Sequence, residues 1–120
     1  MKTLSTIIIL LFTTFAFAQY PDTTRGNQET REEAKRLTGI YDQKLGLDGT
    51  QLPIFEEKLE DYLVLAERAK SNFEGREELD ALTELMVRET LDMQEILTRP
   101  QLIVYKKIRQ DVQPIKVVEK

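Results

Sequence analysis

Apolar residues recur along this chain at helical stride, most persistently between Leu52 and Phe73. Leu52, Phe55, Leu59, Tyr62, Ala66, Ala69 and Phe73 are separated by alternating steps of three and four, a sustained heptad-like seam. Ile54, Leu63 and Leu65 flank it and widen the apolar face to roughly half the helix circumference, more than one neighbouring helix covers. A helix is therefore predicted from Gly49 to about Phe73, with Pro53 in its first turn. Upstream, Ala34, Leu37, Tyr41 and Leu45 predict a helix over Glu29–Leu45, closed by Gly46 in a left-handed cap. Downstream of a bend at Asn72–Gly75, the residues Leu79, Leu82, Leu85, Met86, Met93, Ile96 and Leu97 line one side of a third helix. A fourth runs from Thr98 to about Gln110, with Leu102, Tyr105 and Ile108 inward and Lys106, Lys107 and Arg109 outward, and Pro114 ends it. No strand-like alternation extends beyond a few residues, and only the Val-rich C-terminal end has room for a short strand. The predicted fold is all-α: four helices in thin antiparallel hairpins, a layer that completes its core by dimerising.

Two polar punctuation marks divide the pattern. Leu97-Thr98-Arg99-Pro100-Gln101-Leu102 is a complete helix start, and Leu47-Asp48-Gly49-Thr50-Gln51-Leu52 repeats its grammar fifty positions earlier. In each, a short polar residue able to cap a helix (Thr98, Asp48) is followed three positions later by glutamine (Gln101, Gln51). That spacing makes a capping box: the cap oxygen accepts the third helical N–H, and the glutamine amide reaches back to the N–H of the cap. Leu97 with Leu102, and Leu47 with Leu52, stand where a hydrophobic staple needs them, one residue before the cap and four after. Pro100 sits where its missing N–H has no intrahelical use. Val87 and Leu91 form an i,i+4 apolar pair on the side of the third helix opposite Leu85 and Ile96. Two readings of the pair stand: isolated surface residues that need no explanation, or a contact for a partner.

Composition narrows the chemistry. The chain has no Cys and no His. Thiol and imidazole catalysis are thereby removed, and zinc or copper would lack their commonest ligands. No Asp/Gly-patterned calcium loop and no Gly-rich phosphate loop is present, so no metal and no cofactor is expected. The acidic neighbours Glu56-Glu57 and Glu77-Glu78 point apart on their helices rather than converging, and the chain is read as no enzyme. The leading segment reads as a secretory signal peptide over residues 1–18: Lys2, a largely apolar run from Leu4 to Phe17, and the small-x-small site Ala16-Phe17-Ala18. The run is short for a membrane anchor, and no Cys follows it for lipid attachment. Cleavage after Ala18 directs the product to the periplasm or beyond, with no stable membrane insertion. Without Lys2 the remaining chain carries 16 basic and 21 acidic residues. Absence of Cys in an exported chain leaves packing or association to hold the fold.

Domain limits follow: a flexible arm over 19–28, a helical domain over 29–112 and a loose tail over 113–120. Charge is unevenly spread, acidic from Glu74 to Glu95 and basic from Arg99 to Lys120. Such blocks read either as solvated faces or as complementary surfaces, the basic end meeting the chain's own third helix or another protomer.

Leu97-Thr98-x-x-Gln101, with Leu47-Asp48-x-x-Gln51 upstream, makes the chain resemble the LTXXQ-motif periplasmic proteins, the group that includes Spy and CpxP. The order of leader, helix, motif, long helix and bend, long helix, motif and short helix is similar over Glu29–Gln110. The resemblance implies a cradle-shaped α-helical homodimer linked to envelope stress. It implies either an ATP-independent chaperone that holds unfolded or misfolded envelope proteins, or an accessory protein that restrains the exported part of a membrane stress sensor. Neither role involves nucleic acid. Leu97, Thr98 and Gln101 carry over letter for letter, Leu47 and Gln51 from the imperfect copy in which Asp48 replaces threonine, and all serve to build helix starts. The group's chaperones are typically basic where they hold clients, whereas this chain is acidic after cleavage, and its metal-sensing members use histidine, which is missing here. The client or partner contacts expected are Val87 and Leu91, together with Tyr105, Lys106, Lys107 and Arg109 beside the second motif.

Overall fold

The structure, a computed structural model, describes residues 27–116, so the expected leader (1–18), most of the arm (19–26) and the end of the tail (117–120) lie outside the described residues. Within them the chain forms four helices and no strand: α1 (Gln28–Leu45), α2 (Gln51–Asn72), α3 (Gly75–Ile96) and α4 (Arg99–Val112). No helix among the described residues is long and apolar enough to cross a membrane.

Each boundary has a local cause. Asn27, expected in the arm, instead caps α1, its side chain accepting the Thr30 N–H at 2.9 Å, so the helix starts one residue earlier than predicted. Gly46 closes α1 in the left-handed conformation (φ 63°), where a Cβ would be strained. The following Leu47 N–H donates to Asp42 Oδ1 at 2.8 Å, which fixes the turn into the first motif. Gly75 opens α3 at φ 58°, and the α2–α3 connection is correspondingly tight, only Phe73 and Glu74 lying between the helices. α4 extends past Gln110 to Val112, and Pro114 follows its cap at Gln113.

α2 packs against both α1 and α3, while α4 packs against α1 and α3, so the four helices close a ring. Its centre is filled by three aromatic side chains from α1, α2 and α4. Tyr41 meets Phe55 edge-on with centroids 5.3 Å apart and Tyr105 at the same distance, and Phe55 and Tyr105 are 6.1 Å apart. Leu37, Leu45, Leu47, Leu59, Met93 and Leu97 complete this core. Three expectations change at its edges. Phe73, read as the last seam residue of α2, is 39% exposed as the C-cap, because the chain turns there. Leu79 is also exposed, and two acids of α3, Glu78 and Glu89, are buried instead.

Candidate functional site

The two motifs meet. Asp48 is the working cap of α2 although regular helix begins at Gln51: its Oδ1 accepts from Thr50 N at 2.9 Å and Gln51 N at 2.7 Å, and its carbonyl accepts the Leu52 N–H at 3.0 Å. Gln51 Oε1 returns a bond to the Asp48 N–H at 3.0 Å, completing the box. Thr98 and Gln101 build the same box at α4, with Thr98 N donating to Gln101 Oε1 at 2.9 Å. The glutamine amides then pair across the fold, Gln51 Nε2 donating to Gln101 Oε1 at 2.8 Å and Gln101 Nε2 to Gln51 Oε1 at 3.2 Å. Gln51 Nε2 also reaches the Ile96 carbonyl at 3.1 Å, and Gln101 Nε2 the Leu45 and Gly46 carbonyls at 3.3 Å. Those carbonyls belong to the C-terminal ends of α3 and α1, where helices leave acceptors without intrahelical partners. Two side chains therefore tie together four helix ends. Leu47 and Leu97 are buried beneath them, and Leu52 and Leu102 pack half-buried against the same core. The role is structural, as expected, but it is one joint rather than two independent helix starts. A capping box is read over three residues, and nothing in the sequence pairs positions 51 and 101.

A second polar cluster lies inside the ring. Glu89 on α3 is 1% exposed, and its Oε1 accepts from Arg109 Nε at 3.1 Å, Arg109 Nη2 at 2.9 Å and the Tyr105 hydroxyl at 3.2 Å. Arg109 Nη1 donates to the Gln113 carbonyl at 2.9 Å, and the Tyr41 hydroxyl donates to Gln113 Oε1 at 2.7 Å. The first residue of the expected loose tail is thus held by three bonds, the third from its own N–H to the Arg109 carbonyl at 2.7 Å. Tyr105 and Arg109, expected as surface contacts, are corrected by this cluster: Tyr105 is fully buried between Tyr41 and Phe55, and the Arg109 side chain is only 13% exposed against Glu89. The signal was in the spacing. Arg109 is four positions after Tyr105 and seven after Leu102, on the inward line of α4, and Glu89 stands four before Met93 and seven after Leu82 on that of α3.

Burial raises the Glu89 pKa, an effect that the Arg109 charge and the bonds from Arg109 and Tyr105 only partly offset. For Arg109, burial works against the charge, but Glu89 outweighs it and the guanidinium is held above its ordinary value. Burial likewise raises the hydroxyls of Tyr41 and Tyr105. The sign of the linkage for Glu89 follows. An unfolded Glu89 loses its proton near pH ~4.3, before the folded one does, so this group withdraws stability as the pH rises from there through the folded pKa. The stability difference between wild type and Glu89→Gln, measured by thermal melts, should shift against the wild type as the pH rises from about 4 through the raised folded pKa. A difference independent of pH would show that Glu89 titrates as it does in the unfolded chain.

The remaining contact residues are on the surface. Val87 is 50% exposed and Leu91 60%, on the side of α3 facing away from the core, as the spacing predicts. Lys106 and Lys107 are exposed on α4, where Ile103, a position the sequence reading passed over, is also 51% exposed. Glu78 is buried and Glu77 exposed, so that acidic pair does point apart. Among the described residues no group of three or more acids is arranged to hold a metal. Compared with known proteins, the chain matches no family model, no curated protein and no solved structure.

Proposed function

We propose that the protein is an ATP-independent holdase of the bacterial periplasm, exported by its leader and acting as a homodimer of the LTXXQ-motif type in the response to envelope stress. The observation that carries this reading is the outer surface of α3 and α4. Val87, Leu91 and Ile103 stand exposed among charges, acidic around the first two (Asp80, Glu84, Glu95) and basic around the third (Lys106, Lys107). Small apolar spots separated by charge suit weak, reversible contact with unfolded chains, which expose apolar residues of every shape along with charge of both signs. A contiguous apolar patch would instead favour permanent association. The two capping boxes joined through Gln51 and Gln101 add support, since they give the motif residues the purely architectural role that the resemblance implies.

Purified protein should suppress aggregation of a chemically unfolded client at near-stoichiometric ratio, with protection weakened by salt if the charged rim takes part. Val87→Asp with Leu91→Asp should reduce protection by half or more while shifting stability by less than about 1 kcal/mol, because both side chains are outside the core. Absence of protection over several unrelated clients would overturn the holdase reading. The compactness of the Val87–Leu91 pair favours one second reading, a regulatory partner that binds the exported part of a membrane stress sensor. In that case the same double substitution abolishes capture of a single envelope protein and aggregation is unaffected throughout.

A further inference from the structure

α1 and α3 stand opposite each other in the ring and do not pack together. Between them, floored by α2 and bordered by the segment that follows α4, runs a cleft of about 360 Å³, within the size range of small-molecule sites. Leu63, Ala66, Leu85, Met86 and Ile115 give it a partly exposed apolar wall. The rest of the lining is charged. Its two acids are each engaged by an arginine: Glu33 accepts from Arg36 Nε at 3.1 Å, and Glu89 accepts from Arg109 Nη2 at 2.9 Å. Lys70 on α2 and Lys116 after α4 complete the lining, both exposed, and their ammonium groups have no partner among the described residues. The cleft thus keeps two spare positive charges in a chain whose formal net charge is −4.

We propose that this cleft binds a single-chain amphiphile with an anionic head, a free fatty acid, whose alkyl chain lies on the apolar wall while its carboxylate meets Lys70 and Lys116 at the rim. Both halves of the lining select the class. A small inorganic anion would pair with the lysines but leave the apolar wall uncovered, and a neutral apolar molecule would draw water from two ammonium groups without replacing it. A cationic amphiphile would bring like charge against them. The fatty acid covers the apolar surface and supplies the missing counter-charge, and it disturbs neither the Glu33–Arg36 pair nor the Glu89–Arg109 pair. The cleft is on the inner side of α3, away from Val87 and Leu91, and its use is independent of client holding on the outer surface.

The probe is dodecanoate, held below the concentration at which it forms micelles. Calorimetric titration of the purified protein should show saturable binding, and dodecyltrimethylammonium, with the same chain and the opposite head, should bind about tenfold more weakly or worse. Lys70→Gln with Lys116→Gln should lower dodecanoate affinity about tenfold with helical circular dichroism and melting temperature retained, since both side chains are exposed and unpaired. Methyl-labelled methionine supplies a readout in the wild-type protein: dodecanoate should shift the Met86 methyl in the cleft wall and leave Met93, in the core, unmoved. Val87→Asp with Leu91→Asp should leave this binding unchanged, so a failure of the holdase reading is told apart from a failure here. Equal affinity for the two amphiphiles, no saturable binding, an unaffected lysine double variant or no response at Met86 would each overturn the proposal. Capture by vesicles of anionic phospholipid without a Met86 response to dodecanoate would assign the lysines to a membrane surface instead. Binding seen only in a chain ended at Lys116 would assign the cleft to residues 117–120.

Discussion

Replacing Arg109 by methionine is expected to lower stability by ~3–5 kcal/mol at neutral pH, the usual cost of removing one partner from a buried ion pair. In a domain of this size that corresponds to roughly 15–30 °C in melting temperature. The loss is not the worth of the ion pair itself. It arises because Glu89, 1% exposed, is left as an uncompensated buried carboxylate with one oxygen already unpartnered. Two further measurements separate this cause from lost packing. First, the penalty should shrink in acid, since a protonated Glu89 can remain buried without a counter-charge, and the high folded pKa makes that protonation accessible. Second, Glu89→Gln added to Arg109→Met should recover most of the loss, because a buried pair exchanged for uncharged groups of similar volume is often nearly neutral. Glutamine is preferred to leucine there, as its oxygen still accepts from the Tyr105 hydroxyl, now 3.2 Å from Glu89. A penalty that does not change with pH and is not relieved by the second substitution would assign the role of Arg109 to packing and to its bond with the Gln113 carbonyl.

The residues that made this cluster hard to foresee obey a rule that is sound on average. Charged side chains on a helix are assigned to solvent, so Glu89 and Arg109 were read as surface although each occupies a step of the inward stride, between Leu82 and Met93 on α3 and after Leu102 and Tyr105 on α4. The stride itself placed α2, α3 and α4, and the left-handed glycine at position 46 closed α1 where the sequence required it. Local chemistry was thus legible in detail: Asp48 caps in place of threonine because a carboxylate oxygen reaches the same N–H groups. What depended on position in space was not. Phe73 continues the α2 seam in one dimension, but the chain turns before a neighbour can cover it. Charge blocks on α3 and α4 are visible in sequence as surfaces, yet only the fold shows that one acid and one base leave those surfaces to meet in the interior.

The joint between the motifs gives the second large effect, and it is measurable as a coupling. Gln51→Ala and Gln101→Ala should each cost ~2–3 kcal/mol, combining about 1 kcal/mol for the lost cap with unpaired carbonyls at the end of α3 or α1. If the boxes worked separately, the double variant would cost the sum. The reciprocal amide bonds, 2.8 and 3.2 Å, predict otherwise. Once one glutamine is gone, the other has already lost its partner, so the double variant should fall short of the sum by ~1–2 kcal/mol, within the range found for residues in one network. Thr98→Ala is the control. Its Oγ1 accepts from Gln101 N at a long 3.4 Å, within its own box, so its cost should be about 0.5–1 kcal/mol and should add to that of Gln51→Ala. Urea denaturation of the wild type and the three glutamine variants, with the Thr98 pair alongside, yields the coupling directly. A coupling near zero would leave two capping boxes that merely lie close together. A coupling of the expected size would make residues fifty positions apart a single structural unit, and would explain why both copies keep the glutamine although the capping residue differs between them.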